Sequence, residues 1–508
     1  MRTLKLLLFS CFALAIGACS VNKTAQTQSY NQTHRPQFHF SPKAHWMNDP
    51  NGMVYFNGKY HLFFQHYPEG TTWGPMYWGH AISKDLVHWQ EQPVALAPDS
   101  LGYIFSGSAV VDHNNTSGLG RDGKVPLVAI FTHHNKELEN KGRNDFQYQS
   151  IAYSLDEGNT WTKYSGNPVL KNPGIVDFRD PKVMWYEDGK KWIMTLATKD
   201  RITFYSSPDL KNWVRESEFG SEFGAHGGVW ECPDLFPLDL NGKKTWVLLV
   251  SINPGAPNGG SGTQYFTGDF DGKTFVPHST ETKWLDYGTD NYAGITWSNT
   301  GNRKLFIGWM NNWQYANVVP TVEWRGAATM ARELSLKQVD GKVYLVSSPV
   351  EEFEEITKQT YSKENVNSAQ EIDLSARLKK LNGAFRLDVS FSNREDFEVV
   401  LFNTSGEELR IGYEKVSNQY FIDRRKAGKT DFEQGFAKKH LAPRISSSDD
   451  INLSIFFDAA SVELFADNGL NVFTDVYFPK KQMDQLRIET NNKATVKQVK
   501  LYDIKSIW

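Results

Sequence analysis

Asp49, Asp180 and Glu231 stand in three stretches of one design. Asn48-Asp49-Pro50-Asn51-Gly52, Arg179-Asp180-Pro181 and Glu231-Cys232-Pro233-Asp234 each set a carboxylate just before a proline. Cleavage of a glycosidic bond needs one carboxylate to attack or to activate water, and a second, protonated, to supply the leaving oxygen's proton. The acid's pKa must be raised by burial or by neighbouring negative charge. Three carboxylates around one centre meet that need, because they resist simultaneous ionisation. Trp46, with Trp73 and Trp78 in the next loop, suits a sugar, whose apolar ring faces pack on aromatics. Each stretch also has a plainer reading. Asp-Pro and Asn-Gly are ordinary turn formers, Asp180 could pair with Arg179, and Glu231 could be a solvated loop acid. Neighbours along a strand point to opposite faces, which counts against the Arg179–Asp180 pair. Cys232 could suggest a thiol nucleophile, but no Cys/His motif accompanies it, and a structural thiol is the stronger reading.

The elements that must position these acids repeat as well. After each acid comes an apolar strand, a turn and a second apolar strand; the turns are Asn57-Gly58, Asp188-Gly189 and Asn241-Gly242, strong hairpin signals. Phe105-Ser106-Gly107-Ser108 and Asn291-Tyr292-Ala293 open two further segments of the same form. A second signature lies between them, in Ser83–Trp89, Ser154–Trp161 and Ser207–Trp213, with a weaker copy in Phe266–Phe275. Starts near 49, 106, 180, 231 and 291 are spaced by roughly one four-stranded blade. The expectation is an all-β chain: a five-bladed β-propeller over residues 37–345 whose inner strands aim their acids at one funnel. Fifteen of the sixteen tryptophans fall between Trp46 and Trp324, which sets the boundary after that point. A charged linker is expected over 346–367. Residues 368–508 alternate apolar and polar, as in Phe385–Phe391, Phe397–Phe402 and Ile451–Phe457, and read as a β-sandwich.

With 508 residues the chain is too long for one ordinary core, and its formal charge of −3 is near balance. It has no basic arm or long basic run, which excludes nucleic acid as a partner class and favours a neutral substrate. Residues 1–19 read as an export signal: Arg2 and Lys5, then the apolar run Leu6–Ile16, then Ile16-Gly17-Ala18-Cys19. Small residues before a cysteine match the bacterial lipoprotein box, with Cys19 lipidated; the alternative is a secretory signal cut after Ala18. No other stretch has the ~20 consecutive apolar residues of a spanning helix, so a membrane would be reached only through lipid on Cys19. Residues 20–36 read as a flexible tether. Cys11 leaves with the leader, which leaves Cys232 without a disulfide partner.

Trp46–Gly52, Phe63–His66, Trp73–His80, Phe105–Ser108, Phe178–Pro181, Trp230–Leu235, Gly308–Tyr315 and Ser461–Phe465 together resemble glycoside hydrolase family 32, the β-fructofuranosidases. Within it the chain looks most like bacterial levanases and exo-inulinases. The resemblance implies a five-bladed propeller plus β-sandwich, and a substrate that is a fructan or fructo-oligosaccharide. It implies that Asp49 attacks the anomeric carbon of a terminal fructofuranose, that Glu231 is acid and then base, and that Asp180 holds fructosyl hydroxyls and stabilises the transition state. Arg179 would orient neighbouring carboxylates. Asn48, Gln65, Trp73, Phe105, Ser106 and Trp309 match positions that shape the fructose pocket. Configuration would be retained through a covalent fructosyl-enzyme, with Asp49 and Glu231 about 5–5.5 Å apart. No metal or organic cofactor is implied. Endo-acting levanase and fructosyltransferase share the motifs and stay open; a glycan-binding lipoprotein would need only the aromatics, not three acids.

Overall fold

The computed structural model describes residues 30–366, 371–491 and 493–508; the export signal with Cys19, and the tether up to residue 29, lie outside them. Five sheets built from His45–Pro349 form the blades. Their innermost strands are His45–Phe56, Tyr103–Val111, Phe178–Tyr186, Val229–Leu240 and Tyr292–Thr296, and the next strands of each blade follow outward as antiparallel neighbours. Two parallel contacts join the last blade to the first: His45-Trp46 against Trp324-Arg325, and Val54 beside Ser298.

Turn chemistry decides the hairpins. Asn57 and Gly58 have φ 46° and 77°, and Asn241 and Gly242 have 54° and 81°, the left-handed pair that a two-residue turn between twisted strands requires. The Asp188-Gly189 hairpin differs. There the positive φ falls on Lys190 (49°) and pairing resumes at Tyr186–Lys191, a four-residue connection. The second repeated signature is a side-chain turn leading to a blade's outer edge. Asp85 Oδ1 accepts from Val87 N (3.0 Å) and His88 N (2.8 Å), Asp209 Oδ1 from Lys211 N (3.0 Å) and Asn212 N (2.8 Å), and Asp156 Oδ1 from Thr160 N (2.9 Å).

The second part packs two six-stranded sheets face to face. Leu387, Ile455, Leu464 and Phe473 from one meet Val399, Ile411, Ile422 and Ile488 from the other in a continuous apolar core. The 346–367 linker is largely strand: Lys342–Pro349 is the outer strand of the fifth blade and Thr357–Val366 pairs with Val496–Ile504. The connection is the 3₁₀ turn Glu351–Ile356, held by buried Phe353 and Ile356. The end of the expected tether is likewise packed. Tyr30 stacks on Trp508 at 3.7 Å, and buried Arg35 lies over Trp324 and donates to Ser41 Oγ (2.9 Å) and Pro42 O (2.7 Å).

A buried ion network fixes the sandwich on the propeller. Glu463, fully buried within the Ser461–Phe465 motif, accepts from His39 Nε2 (2.8 Å), Met330 N (2.7 Å) and Arg332. His39 Nδ1 faces Asp458 at 2.8 Å, and Arg332 also binds Asp286 at 3.0 Å. Burial alone would lower the His39 pKa, but its two carboxylates raise it, so the ring holds its proton as an ionic clasp. Removing one member of such a network strands a buried charge, at about 3–5 kcal/mol.

Candidate active site

Every innermost strand breaks register at the same point. The irregularities fall between Met47 and Pro50, Ile104 and Gly107, Arg179 and Lys182, Glu231 and Asp234, and Tyr292 and Ile295. A bulge adds a residue to one strand, bends it and re-aims its side chains. At its bulge an innermost strand has no ladder partner on its inner side, so a proline with no N–H is tolerated. That is why Pro50, Pro181 and Pro233 sit at the bulges. Asp180, Cys232 and Ala293 take φ of 63°, 45° and 53° there, a conformation few non-glycine residues adopt.

Grouped by their contacts, Arg179, Glu231 and Tyr292 form one level, and Asp49, Ser106, Asp180 and Cys232 the next. Contacts run along each level. On the lower one, Ser106 Oγ donates to Asp49 Oδ2 (2.9 Å), and the Cys232 thiol lies 3.8 Å from Asp49 Oδ2 and 3.5 Å from Asp180 Oδ2. Cys232 N donates to Asp180 Oδ2 (3.0 Å), and Asp180 N donates to Thr132 Oγ1 (3.1 Å). On the upper one, Arg179 reaches Glu231 Oε1 through Nε (3.2 Å) and Nη2 (2.9 Å) and Asp177 through Nη1 (2.5 Å). Tyr292 OH donates to Glu231 Oε2. Asn48 links the levels, accepting from Trp46 Nε1 (2.7 Å) and donating to Asp49 Oδ1 (2.8 Å).

The electrostatics follow from burial in a cluster of acids. Burial, and then the Glu231 charge, push Asp49 up to about 6, against its bonds from Asn48 and Ser106. Burial also raises Asp180; Arg179 opposes the rise, and Glu231 and Asp49 add to it. Cys232 is pushed well above the ordinary thiol range by burial and by the same three acids. It remains a neutral S–H between two carboxylates, the reverse of the electropositive setting a nucleophilic thiolate needs. Burial and Glu231 likewise keep the Tyr292 hydroxyl protonated.

These groups open into a pocket of about 330 Å³ lined by Asn48, Asp49, Gln65, Trp73, Phe105, Ser106, Arg179, Asp180 and Glu231 of the residues read from sequence, and also by His134, Glu139, Phe146, Gln147, Val176, Asp177 and Trp313. Gln65 Nε2 is buried without a hydrogen-bond partner among the described residues, a donor free for a ligand oxygen. Phe105 stacks on His134 at 4.3 Å and meets Trp73 edge-on at 6.1 Å.

Trp309 is a correction. It is fully buried, packed against Trp46 (6.0 Å) and Trp313 (4.9 Å), and it does not line the pocket. The chain turns at Asn312, whose Oδ1 accepts from Gln314 N (3.0 Å), and this turn folds Trp313 over Trp309 as the half-buried wall of the pocket. Tyr292 was missed as a site residue. Its signal was the blade register, which sets it level with Arg179 and Glu231. His134, Gln147 and Asp177 carry no motif of their own and come to the pocket only through the adjoining blade edges.

Residues 39–349 match the Glycosyl hydrolases family 32 N-terminal domain, and residues 352–503 match Glycosyl hydrolases family 32 C terminal. The chain belongs to glycoside hydrolase family 32. It is 45% identical to a levanase of Bacillus subtilis over 512 residues, covering 98% of this chain and 74% of that protein. An extracellular exo-inulinase of Aspergillus niger is 40% identical over 534 residues, covering 97% of this chain and 99% of its own. Among solved structures, the exo-inulinase of Aspergillus awamori superposes with a TM-score of 0.86 at 38% identity, over 94% of this chain and 100% of that one. A β-fructofuranosidase of Schwanniomyces occidentalis complexed with fructosyl-erythritol gives 0.85 at 33% identity, over 94% and 99%.

Proposed function

We propose that this glycoside hydrolase releases fructose from the ends of β-linked fructans, levan first and inulin and sucrose more slowly, with retention of configuration. The observation that carries the reading is that the bulged inner strands bring Asp49, Asp180 and Glu231 to one pocket. Asp49 lines the pocket and has no ion-pair partner among the described residues, as suits a nucleophile. Glu231 has both oxygens accepting, from Arg179 and Tyr292, the ionised state that activates water in the second step. In the first step it gives its proton to the leaving oxygen. Asp180, gripped by Cys232 N, is set to hold fructosyl hydroxyls rather than to react. Two displacements, each with oxocarbenium-like character, then restore the starting anomer.

A pocket admits a chain end, which supports exo-action. Early products from levan and inulin test it: free fructose alone is expected. A ladder of short oligosaccharides before fructose would favour an endo-acting levanase with an open cleft. Accumulation of longer fructosylated products from sucrose would favour transfer to a sugar acceptor.

The named extracellular relatives support an exported enzyme, and Cys19 is proposed as its lipid anchor. Cys19→Ala should move the enzyme from the detergent-extracted membrane fraction to the soluble fraction, or stall leader removal. Wild-type protein free in the medium with an unmodified first residue would refute anchoring.

A further inference from the structure

The inner strands continue past the acids to the opposite face of the propeller, where they surround a second cavity of about 770 Å³. Its roof is the underside of the catalytic level. Lys182 follows Asp180 by two residues, Asp234 follows Cys232 by two, and their ammonium and carboxylate lie 3.2 Å apart, buried. Thr296 donates to Asp234 Oδ2 through N (2.6 Å) and Oγ1 (2.8 Å), and Lys182 Nζ donates to Thr296 O. This polar plug separates the two cavities. Trp185 of the lower one stands five strand residues from Asp180, ~17 Å along the strand.

Three features describe a ligand for that cavity. Trp185 is half-buried and its indole is fixed, with Nε1 donating to Glu187 Oε2 (2.6 Å) and the ring set against Trp192 at 5.0 Å and 69°. A rigid indole in a cavity wall offers contact area at little cost in conformational entropy. Lys304 lines the same cavity, and its ammonium has no hydrogen-bond or ion-pair partner among the described residues; burial lowers its pKa. This ammonium is only partly buried and is free to donate to an oxygen-bearing occupant. Asn114 at the rim is exposed and also unbonded among the described residues. Of the other charges, Lys182 pairs with Asp234 and Glu187 with Lys190, while buried Asp112 is held by Thr116 and Ser117 with no cation among the described residues. Lys304 also feels the Asp234 carboxylate, so the cavity does not form a cradle for an anion. A largely apolar wall, the free donors of Lys304 and Asn114 and a lining without excess positive charge together fit a polyhydroxylated neutral chain.

We infer that this cavity is a second, non-catalytic binding site for a terminal segment of a neutral fructan, holding polymer to the enzyme while the pocket works on other chain ends. The inference rests on the fructan reading above. The test is native electrophoresis of the full chain through gels with and without levan, using Trp185→Ala and Lys304→Gln in an Asp49→Asn background, beside sucrose hydrolysis by the same two substitutions in active enzyme. Levan should retard the Asp49→Asn protein, and Trp185→Ala should weaken that retardation at least about fivefold. Lys304→Gln should weaken it less, and both should leave sucrose kcat/KM within about twofold. If Trp185→Ala does not fold, Lys304→Gln alone decides the matter. Unchanged retardation in the folded variants overturns the site, and so does retardation abolished by millimolar phosphate, which would mark an anion site. Levan hydrolysis without any retardation overturns this site and leaves the enzyme reading intact. Retardation by levan without hydrolysis of any fructan does the opposite.

Discussion

Asp49→Asn is expected to lower fructan and sucrose hydrolysis by about 10⁴-fold or more, the scale lost when a group indispensable to bond making is removed. The fold should survive. Asn is nearly isosteric, its amide oxygen can keep the bond from Asn48 Nδ2, and the Ser106 hydroxyl can rotate to accept from the new NH₂ group. The sign of the stability change follows from linkage. Asp49 titrates higher in the folded protein than an ordinary aspartate, at about 6, so at neutral pH its ionised form weighs against folding. The neutral amide removes that cost, and Tm should hold or rise. The same pKa predicts an acid limb in the wild type. A nucleophilic carboxylate is lost on protonation, so kcat/KM, which reports the free enzyme, should fall tenfold per pH unit below about 6. Near-normal turnover by a folded Asp49→Asn protein would sink the assignment. A kcat/KM that stays flat well below pH 6 would remove Asp49 as the titrating nucleophile.

What could be read in advance was whatever local chemistry dictates. The five blade openings lie where repeated acid-proline and small-residue signals put them, because only a bulged strand without a ladder partner on its inner side accepts Asp49-Pro50, Asp180-Pro181 or Cys232-Pro233 at its centre. Phe385–Phe391, Phe397–Phe402 and Ile451–Phe457 are strands with those bounds, since period-two alternation over a buried face is a strong signal. The failures share a different cause. Thr357–Val366 is exposed over most of its length and so lacks alternation; it is a strand because Val496–Ile504 offers it an edge. Trp309 and Trp313 are chemically equivalent, and which of them faces the pocket depends on the turn at Asn312, a tertiary matter. Glu187–Lys190 contains an Asp-Gly pair, but the left-handed residue is Lys190, so the hairpin lengthened by two. Tyr292 needed the blades to be aligned with one another. A tyrosine alone says nothing, whereas a tyrosine one residue before the bulge, level with Glu231, says that its hydroxyl meets the acid.

Glu231→Ala is expected to separate substrates by their leaving groups. Sucrose and levan depart as poor alkoxides and need a proton in the first step, so their kcat/KM should fall by about 10²–10⁴-fold, the usual worth of a positioned acid. An aryl fructoside with a nitrophenolate leaving group needs no proton, and its first step should be nearly normal. Its second step then lacks a base, so a fructosyl-enzyme should accumulate on Asp49. Azide needs no base and can enter the space the carboxylate leaves. It should restore aryl-fructoside turnover and give a fructosyl azide with the substrate's anomeric configuration. The local structure should tolerate the change, because Arg179 keeps Asp177 as a partner at 2.5 Å when Glu231 is gone, and Tyr292 loses an acceptor but gains room for water. Loss of the Glu231 charge also removes one cause of the raised Asp49 pKa, so the acid limb of the aryl-fructoside profile should move to lower pH. Equal loss on sucrose and on the aryl fructoside, with no rescue by azide, would assign the proton to another group and leave Glu231 as a partner that merely holds Arg179.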